Sequence, residues 1–315
     1  MVKPHALLIA GPTGCGKSAL ALRLAQDLDG VIINADSMQL YRDLKLLTAR
    51  PGPEAEALAP HRLYGALPAA ERGSVGRWLA LARTEVEAAA EAGKVPIVVG
   101  GTGLYLTALT AGLARIPPIP EAVRAEARRR LEQLGNHAFH ARLAGRDPVM
   151  AARLRASDSQ RLVRAYEVLE ATGRSLAEWQ SGAVAELPLT LPWRGFVLEL
   201  PRQALYRRID RRFDDMLAAG ALDEVRALAA SALDPSLPVM RALAVPELIR
   251  HLAGELDLEV AAGLAKQATR RYAKRQMTWF RNKMRAWAWI VAQDSESFYE
   301  RIIPEMINFR LTRGV

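Results

Sequence analysis

Residues 11–18 read GPTGCGKS and match the pattern G-x-x-x-x-G-K-[ST]. An apolar run at residues 6–10 precedes this stretch, and a helical pattern follows it from Ala19. Glycines let a backbone wrap closely around oxyanions, and a following helix points the positive end of its dipole at them. The stretch therefore predicts a phosphate-binding loop between a strand and a helix, in which Lys17 supplies a mobile charge and Ser18 a hydroxyl for Mg²⁺.

The composition indicates a globular chain with a polyanionic partner. Half of the 315 residues are hydrophobic, and this length allows two domains or one domain with a large insertion. The formal net charge of +9 favours a polyanion, although many of these charges will simply be solvated. No apolar run is long enough to span a bilayer, and Cys15 is the only cysteine, so we expect a cytoplasmic protein without internal disulfides.

Strands and helices alternate in the first third of the chain. Apolar runs predict strands at residues 7–10, 31–34 and 95–99, and helical patterns begin at Lys17 and near Ser74. Short buried strands separated by helices predict an α/β fold with a P-loop NTPase-like parallel sheet flanked by helices. Ligands are then expected at the carboxyl ends of the strands.

The middle of the chain has a different character. A proline-rich segment at residues 116–120 opens a long series of helical patterns, and a strand at residues 196–200 then returns the chain to the sheet. These patterns predict a catalytic core of residues 1–114 and 194–315 and an all-helical insertion domain of residues 115–193.

No carboxylate follows the strand at residues 95–99. A nucleotide hydrolase or kinase usually has an acid there to hold magnesium, whereas this chain has Gly-Gly-Thr, which favours a reaction in which diphosphate leaves. Asp36 follows the preceding strand; it can accept a proton, hold Mg²⁺ through water, or cap a helix that contains Met38. Thr102 can bond a leaving-group oxygen or simply close a turn.

Arg208 and Arg212 lie four residues apart and share one helix face. Two guanidinium groups in this arrangement can clamp phosphate oxygens. The pattern alone nevertheless favours a solvent-facing stripe paired with the neighbouring acids.

A second basic stripe lies within a helical pattern that runs from residue 247 to about 289. Lys266, Arg270 and Lys274 recur at every fourth position and so share a helix face. Such a stripe suits a nucleic-acid backbone, while the aromatic residues beside it are better explained as core.

Five segments resemble, in the same order, the motifs of the bacterial tRNA dimethylallyltransferases, also called tRNA isopentenyltransferases. They are residues 11–18, 34–41 (NADSMQLY), 100–105 (GGTGLY), 158–165 (DSQRLVRA) and 273–281 (AKRQMTWFR). The resemblance is specific because five separated motifs agree over nearly the whole chain.

The resemblance implies transfer of a dimethylallyl group from dimethylallyl diphosphate to N6 of the adenosine 3′ of the anticodon, with release of diphosphate. Asp36 matches the general base of the family, Thr102 a residue near the target amine, and Arg212 an arginine that neutralises the diphosphate. Mg²⁺ is the implied cofactor and Ser18 its contact. The implied diphosphate ligands are Gly11, Thr13, Gly14, Cys15, Gly16, Lys17, Ser18 and Arg208.

The resemblance also implies that tRNA is the partner. The insertion domain is expected to grip the anticodon stem, the C-terminal helices to contact tRNA, and the target base to be extruded from its loop. We expect a monomer with no membrane partner. The implied tRNA contacts are Asp36, Ser37, Met38, Gln39, Thr102, Arg124, Gln160, Arg161, Arg164, Arg241, Lys274, Arg275, Gln276, Thr278, Trp279 and Arg281.

Two segments depart from the family pattern. Where many members have Gly-Tyr-Lys/Arg-Glu, residues 244–247 read Ala-Val-Pro-Glu, so the contact of an aromatic or basic side chain is missing. Where the family often has Ile-Gly-Thr-Ala-Lys-Pro, residues 46–51 read Leu-Leu-Thr-Ala-Arg-Pro, which keeps a basic residue before the proline.

Two other functions compete with prenyl transfer. A small-molecule phosphotransferase would need an acid after the second strand and a base-specificity loop, and the sequence identifies neither. A non-catalytic RNA-binding protein would have no need of Lys17, Ser18, Asp36 and Thr102 together.

Overall fold

The computed structural model describes residues 5–114, 116–182, 184–186, 189–294 and 296–312. The chain forms two compact units. The core unit comprises Met1–Thr110 and Leu189–Val315, and the second unit comprises Ala111–Pro188, which overlaps most of the insertion expected at residues 115–193. Within the described ranges, no helix combines the length and the apolarity that crossing a bilayer requires.

A parallel sheet forms the centre of the core unit. The strands of the chain are β1 (Ala6–Ala10), β2 (Gly30–Asn34), β3 (His61–Arg62), β4 (Val95–Gly100), β5 (Leu113–Ala114), β6 (Val184–Glu186), β7 (Trp193–Glu199) and β8 (Ala288–Val291). Six of them pair in the order β3-β2-β4-β1-β7-β8, all parallel. The predicted α/β fold is therefore confirmed.

Helices flank the sheet. The helices of the core unit are α1 (Lys17–Asp27), α2 (Pro53–Leu58), α3 (Val75–Glu91), α4 (Gly103–Ala111), α9 (Arg202–Ala218), α10 (Ala221–Ala230), α11 (Val245–Leu252), α12 (Leu258–Lys283) and α13 (Ser297–Thr312). The second unit contains α5 (Glu121–Ala144), α6 (Pro148–Arg153), α7 (Ser159–Thr172) and α8 (Leu176–Ser181). Every residue of β1 and β2 is buried, as expected for parallel strands with helices on both faces.

The topology brings three loops to one edge of the sheet. The carboxyl ends of β1, β2 and β4 lie side by side, because β1 and β2 both pair with β4. The phosphate loop (residues 11–18) follows β1, Asp36 follows β2, and Thr102 follows β4. The three polar segments that the sequence singled out are therefore neighbours in space.

The second unit has its own core. Helices α5 to α8 pack around buried side chains that include Phe139, Leu162 and Tyr166. Helix α5 is kinked at Gly135, whose φ of 70° is in the left-handed region. Besides these helices, the unit contains the short antiparallel pair β5–β6.

Two expected helices take another form. The pattern from residue 247 to about 289 divides into α11 and α12, and its last residues form β8, which pairs with β7 as the sixth strand of the sheet. The segment Ala288–Val291 contains three residues of high β-propensity, Trp289, Ile290 and Val291, and pairing with a sheet edge outweighs the helical pattern. The helix expected around Met38 is a hydrogen-bonded turn at residues 37–40.

Candidate active site

The loop between β1 and α1 has the conformation of a phosphate cradle. Gly14 and Gly16 have φ values of 83° and 97°, which only glycine adopts readily. A Cβ on Gly14 would lie 2.9 Å from Cγ1 of Ile209, so the loop also packs closely against α9. Cys15 is buried and fills the space beside Gly11, which indicates a packing role for its side chain.

Two arginines of α9 hold the phosphate loop from the opposite side. Arg208 Nε donates to the carbonyl oxygen of Gly14 at 3.0 Å, and Arg212 Nη2 donates to Thr13 Oγ1 at 2.6 Å. The spacing favoured a solvent-facing stripe paired with the neighbouring acids. Instead both arginines bond the phosphate loop, although Arg208 stays exposed and only Arg212 is half-buried. Burial lowers the pKa of the Arg212 guanidinium, so this cation is partly dehydrated and gains more from a bound anion than an exposed one would.

The acids of α9 pair with α12 instead. Arg270 Nη1 lies 2.6 Å from Asp210 Oδ1, and Lys266 Nζ lies 2.6 Å from Asp214 Oδ1. Lys266 and Arg270, two members of the predicted nucleic-acid stripe, thus link α12 to α9, because this part of the stripe faces α9. Lys274, the third member, is exposed.

Asp36 is held by a buried asparagine. Asn34 is fully buried; its Nδ2 donates to the Asp36 carbonyl at 2.9 Å and its Oδ1 accepts the Asp36 N–H at 2.8 Å. Asp36 Oδ1 accepts the N–H of Met38 at 3.0 Å, and Oδ2 faces Gly101. One carboxylate oxygen thus orders the turn, as the capping alternative proposed, and the other remains for chemistry.

Thr102 is tied to the Asp36 loop. Its Oγ1 accepts the N–H of Ser37 at 2.9 Å and donates to Ser37 Oγ at 3.3 Å. Gly100 allows this close approach, because a Cβ there would collide with the backbone of Ala35. The two loops therefore form one rigid edge.

Three tyrosines lie near enough to Asp36 to be influenced by the charge of its carboxylate. Burial, and to a smaller extent the charge of Asp36, raises the pKa of Tyr64, Tyr105 and Tyr272 well above the ordinary value. Their hydroxyls therefore remain protonated at neutral pH.

Two cavities meet at Asp36. The polar cavity, of about 360 Å³, includes Lys17, Ser18 and Arg208 among its lining residues. The apolar cavity, of about 290 Å³, is lined mainly by hydrophobic side chains, among them Leu47, Ile209, Phe213, Met216 and Leu243. Both cavities are lined by Thr13, Asp36, Thr48 and Arg212. An anion site that adjoins an apolar site, with a carboxylate and a guanidinium at their border, suits a diphosphate ester of a small hydrocarbon.

The residues present fit a magnesium ion that arrives with a diphosphate. Among the described residues, no group of three or more His, Cys, Asp or Glu could hold a metal ion by itself. The hydroxyl of Ser18 and the carboxylate of Asp36 nevertheless line the same polar cavity. Mg²⁺ commonly binds through one or two protein ligands together with phosphate oxygens and waters.

Several expected tRNA contacts line the apolar cavity or its surroundings. Ser37, Met38, Arg241 and Arg275 contribute to its wall, and the Arg275 guanidinium lies over the ring of Tyr272 with 5.6 Å between them. These four residues therefore line the same cavity as Asp36.

Other expected contacts have partners within the protein. Gln39 Nε2 donates to the carbonyls of Thr48 and Ala49 at 2.8 and 3.0 Å, and Arg281 pairs with Glu199 at 2.6 Å while staying 61% exposed. Thr278 is exposed, whereas the ring of Trp279 lies directly against Gly103.

Gln276 departs from its expected role. It is only 5% exposed, and both ends of its amide bond the protein backbone, at Thr13 N and the Gly101 carbonyl. A side chain so placed cannot face tRNA. The sequence motif includes Gln276 among exposed neighbours, and only the helix orientation shows that it points inward.

The expected contacts of the second unit lie on α5 and α7. Gln160 is exposed, Arg161 forms an ion pair with Asp158 at 3.4 Å, and Arg164 forms one with Glu167 at 3.3 Å. Arg124 is half-buried on α5. Their role in tRNA binding stays a prediction.

Glu224 is a site residue that the sequence did not reveal. Its carboxylate, on α10, accepts the N–H groups of Lys45, Leu46 and Leu47, the last two at 2.9 and 3.0 Å. It thereby orders the segment that brings Leu47 and Thr48 to the cavities. No local pattern marks this glutamate, because its partners are backbone groups far away in the sequence.

Comparisons with known proteins agree with this geometry. A family model described as IPP transferase matches residues 39–283, and one described as isopentenyl transferase matches residues 4–73. The tRNA dimethylallyltransferase of Rhodospirillum centenum is 59% identical over 280 residues, which is 89% of either chain. That of Paramagnetospirillum magneticum is 53% identical over 307 residues, 98% of this chain and 97% of the relative.

Solved structures agree as well. A tRNA isopentenylpyrophosphate transferase from Bacillus halodurans superposes with a TM-score of 0.68 at 32% identity, over 98% of this chain and 96% of that one. A eukaryotic dimethylallyltransferase acting on tRNA superposes with a TM-score of 0.82 at 26% identity, over 99% of this chain and 81% of that one. The chain therefore belongs to the IPP transferase family, that of the tRNA dimethylallyltransferases.

Proposed function

We propose that the dimethylallyl group comes from dimethylallyl diphosphate, that its acceptor is N6 of the adenosine 3′ of the anticodon, and that diphosphate is released. Transfer of a dimethylallyl group to tRNA is the activity of this enzyme, as its family membership establishes. The donor and the acceptor atom are supported by one observation: the polar and apolar cavities meet at Asp36 and Arg212.

The polar cavity suits the diphosphate as a leaving group. Backbone N–H groups of the phosphate loop, Lys17, Arg208 and Arg212 surround it with positive charge. Negative charge grows on the bridging oxygen as its bond to the allylic carbon breaks, and preorganised donors stabilise that charge. When bound, Mg²⁺ would neutralise further charge on the diphosphate, and Ser18 would hold it.

Asp36 and Thr102 suit the adenine amine. This amine is a poor nucleophile because its lone pair is delocalised into the ring, so its orientation toward the allylic carbon matters. Asp36 Oδ2 would accept one N6 proton as the carbon–nitrogen bond forms, while Thr102 helps to place the amine. The products are prenylated adenosine, diphosphate and a proton on Asp36.

The basic surface suits the tRNA backbone. Lys274 and Arg275 lie on α12, beside the apolar cavity that Arg275 lines, and the chain carries a formal net charge of +9. Phosphate contacts on this surface would hold the anticodon loop while the target base is extruded toward Asp36.

The test is an analysis of the modified nucleoside. The enzyme is incubated with Mg²⁺, dimethylallyl diphosphate and unmodified tRNA that carries adenosine 3′ of the anticodon. The tRNA is then digested to nucleosides, and their masses are measured by mass spectrometry. We expect adenosine heavier by one prenyl unit, formed one-to-one with released diphosphate. A tRNA with guanosine at that position is the control. Prenylation of the control, or phosphorylation of an acceptor, would contradict the proposal.

A further inference from the structure

Gln276 joins two loops of the active site. Its Oε1 accepts the N–H of Thr13 at 2.9 Å, and its Nε2 donates to the carbonyl of Gly101 at 2.9 Å. One amide from α12 therefore bridges the phosphate loop and the loop that carries Thr102.

The two bonds require a donor and an acceptor on one planar group. Thr13 offers a hydrogen and Gly101 offers an oxygen, and the amide of Gln276 supplies the matching acceptor and donor, as a protonated carboxyl group also would. A Cβ on Gly101 would collide with Gln276 Nε2, which shows how closely the amide is seated. The side chain is also buried, so water cannot replace either bond without opening the core.

The bridge connects the groups that must meet in the reaction. Thr13 also holds Arg212 through its hydroxyl, and Gly101 directly precedes Thr102. A chain of hydrogen bonds thus runs from Arg212 through Thr13 and Gln276 to Gly101. Under the proposed function, the leaving group would lie at its Arg212 end and the amine at its Thr102 end. Nucleophilic attack needs reacting atoms about 3 to 3.5 Å apart, and a displacement of about 1 Å can reduce the rate about 100-fold.

We propose that Gln276 is a positioning residue for the transfer step, which fixes the phosphate loop relative to Thr102 and so aligns the donor with the amine. This inference rests on the proposed function. It assigns two opposite faces to α12: Gln276 points inward to the loops, while the exposed Lys274 and Thr278 point outward.

The first test replaces the amide by a thioether of similar length. Gln276→Met loses both bonds, and we expect its single-turnover rate at saturating substrates to fall about 10- to 100-fold, with tRNA affinity within about twofold of the native value. Gln267→Met is the matched control, because Gln267 is exposed on the same helix; its rate and affinity should not change. A native rate for Gln276→Met, or a loss confined to tRNA affinity, would overturn the proposal.

The second test guards against a folding defect. Gln276→Glu reproduces donor and acceptor when its carboxyl group is protonated and loses the donor when it is ionised. We therefore expect its rate, divided by that of the native enzyme, to rise as the pH falls. A constant ratio overturns the proposal. Absence of tRNA prenylation by the native enzyme would instead overturn the proposed function and this inference together.

Discussion

At the scale of the residue, Asp36 combines two tasks that sequence patterns treat as alternatives. Oδ1 accepts the N–H of Met38 and Oδ2 is free of that bond, while Asn34 fixes the backbone on either side. A carboxylate anchored through one oxygen needs no reorganisation when the other takes a proton. The local motif Asn-Ala-Asp thus contains both the proposed base, Asp36, and the asparagine that fixes its backbone.

Arg212 should matter most when the leaving group departs. Arg212→Gln removes a partly buried cation that points at the phosphate loop, and we expect the single-turnover rate to fall about 100-fold or more. Arg207→Gln, an exposed position on the same helix, is the control and should change the rate little. Rapid-quench experiments with labelled donor measure these single-turnover rates. Equal rates for the two variants would contradict the role of Arg212 in stabilising the leaving group.

Ala244 has a conformation that suits glycine. Its φ of 71° costs an L-residue about 1 kcal/mol. Ala244→Gly should raise the free energy of unfolding by up to about 1 kcal/mol, measured by urea denaturation. Ala242→Gly, where φ is −60°, should lower it. Destabilisation by Ala244→Gly would contradict this explanation.

At the scale of the element, α9 and α12 form the inner wall of the site. They are joined by the ion pairs Arg270–Asp210 and Lys266–Asp214, and each sends a side chain to Thr13, Arg212 from α9 and Gln276 from α12. A change in the spacing of these helices would therefore move the phosphate loop.

Glu224 on α10 should order the segment that follows β2. Glu224→Gln weakens charge-assisted bonds to three backbone N–H groups, so amide exchange at residues 45–47 should accelerate about tenfold. The neighbouring exposed Asp223→Asn is the control and should leave these amides unchanged. Hydrogen exchange measured by mass spectrometry distinguishes the variants; equal protection in both would contradict this role.

Sequence patterns predict the elements better than their orientation. The strands at β1, β2, β4 and β7 follow from apolar runs, and the phosphate loop follows from its glycines. The contact of Arg208 and Arg212 with the phosphate loop does not follow, because α9 carries arginines and acids on several faces and only the packing of the folded chain selects between them. Glu224 and Gln276 act on backbone groups distant in sequence, so no spacing could reveal them.

At the scale of the whole molecule, positive charge is only partly available to tRNA. The formal net charge is +9, yet Lys266 and Arg270 are engaged by acids of α9, while Lys274 is exposed. The surface that binds nucleic acid is therefore narrower than the basic composition indicates.

This distinction predicts different salt dependences. Lys274→Ala should weaken tRNA binding and reduce the slope of log affinity against log salt by about one unit. Lys266→Ala should change that slope much less, because Lys266 is paired with Asp214. Filter-binding titrations over several salt concentrations provide the measurement, and equal slopes for the two variants would contradict the division of the stripe.

The account depends most on Asp36 as the base at the border of the two cavities. Asp36→Asn keeps the side-chain oxygen that bonds Met38 but cannot accept the N6 proton. The decisive measurement is the single-turnover rate of tRNA prenylation by this variant, together with its tRNA dissociation constant. The account predicts a rate at least about 100-fold below the native rate with nearly unchanged tRNA affinity. A rate within a few-fold of native, or a parallel loss of affinity, would show that Asp36 only maintains the structure of the loop.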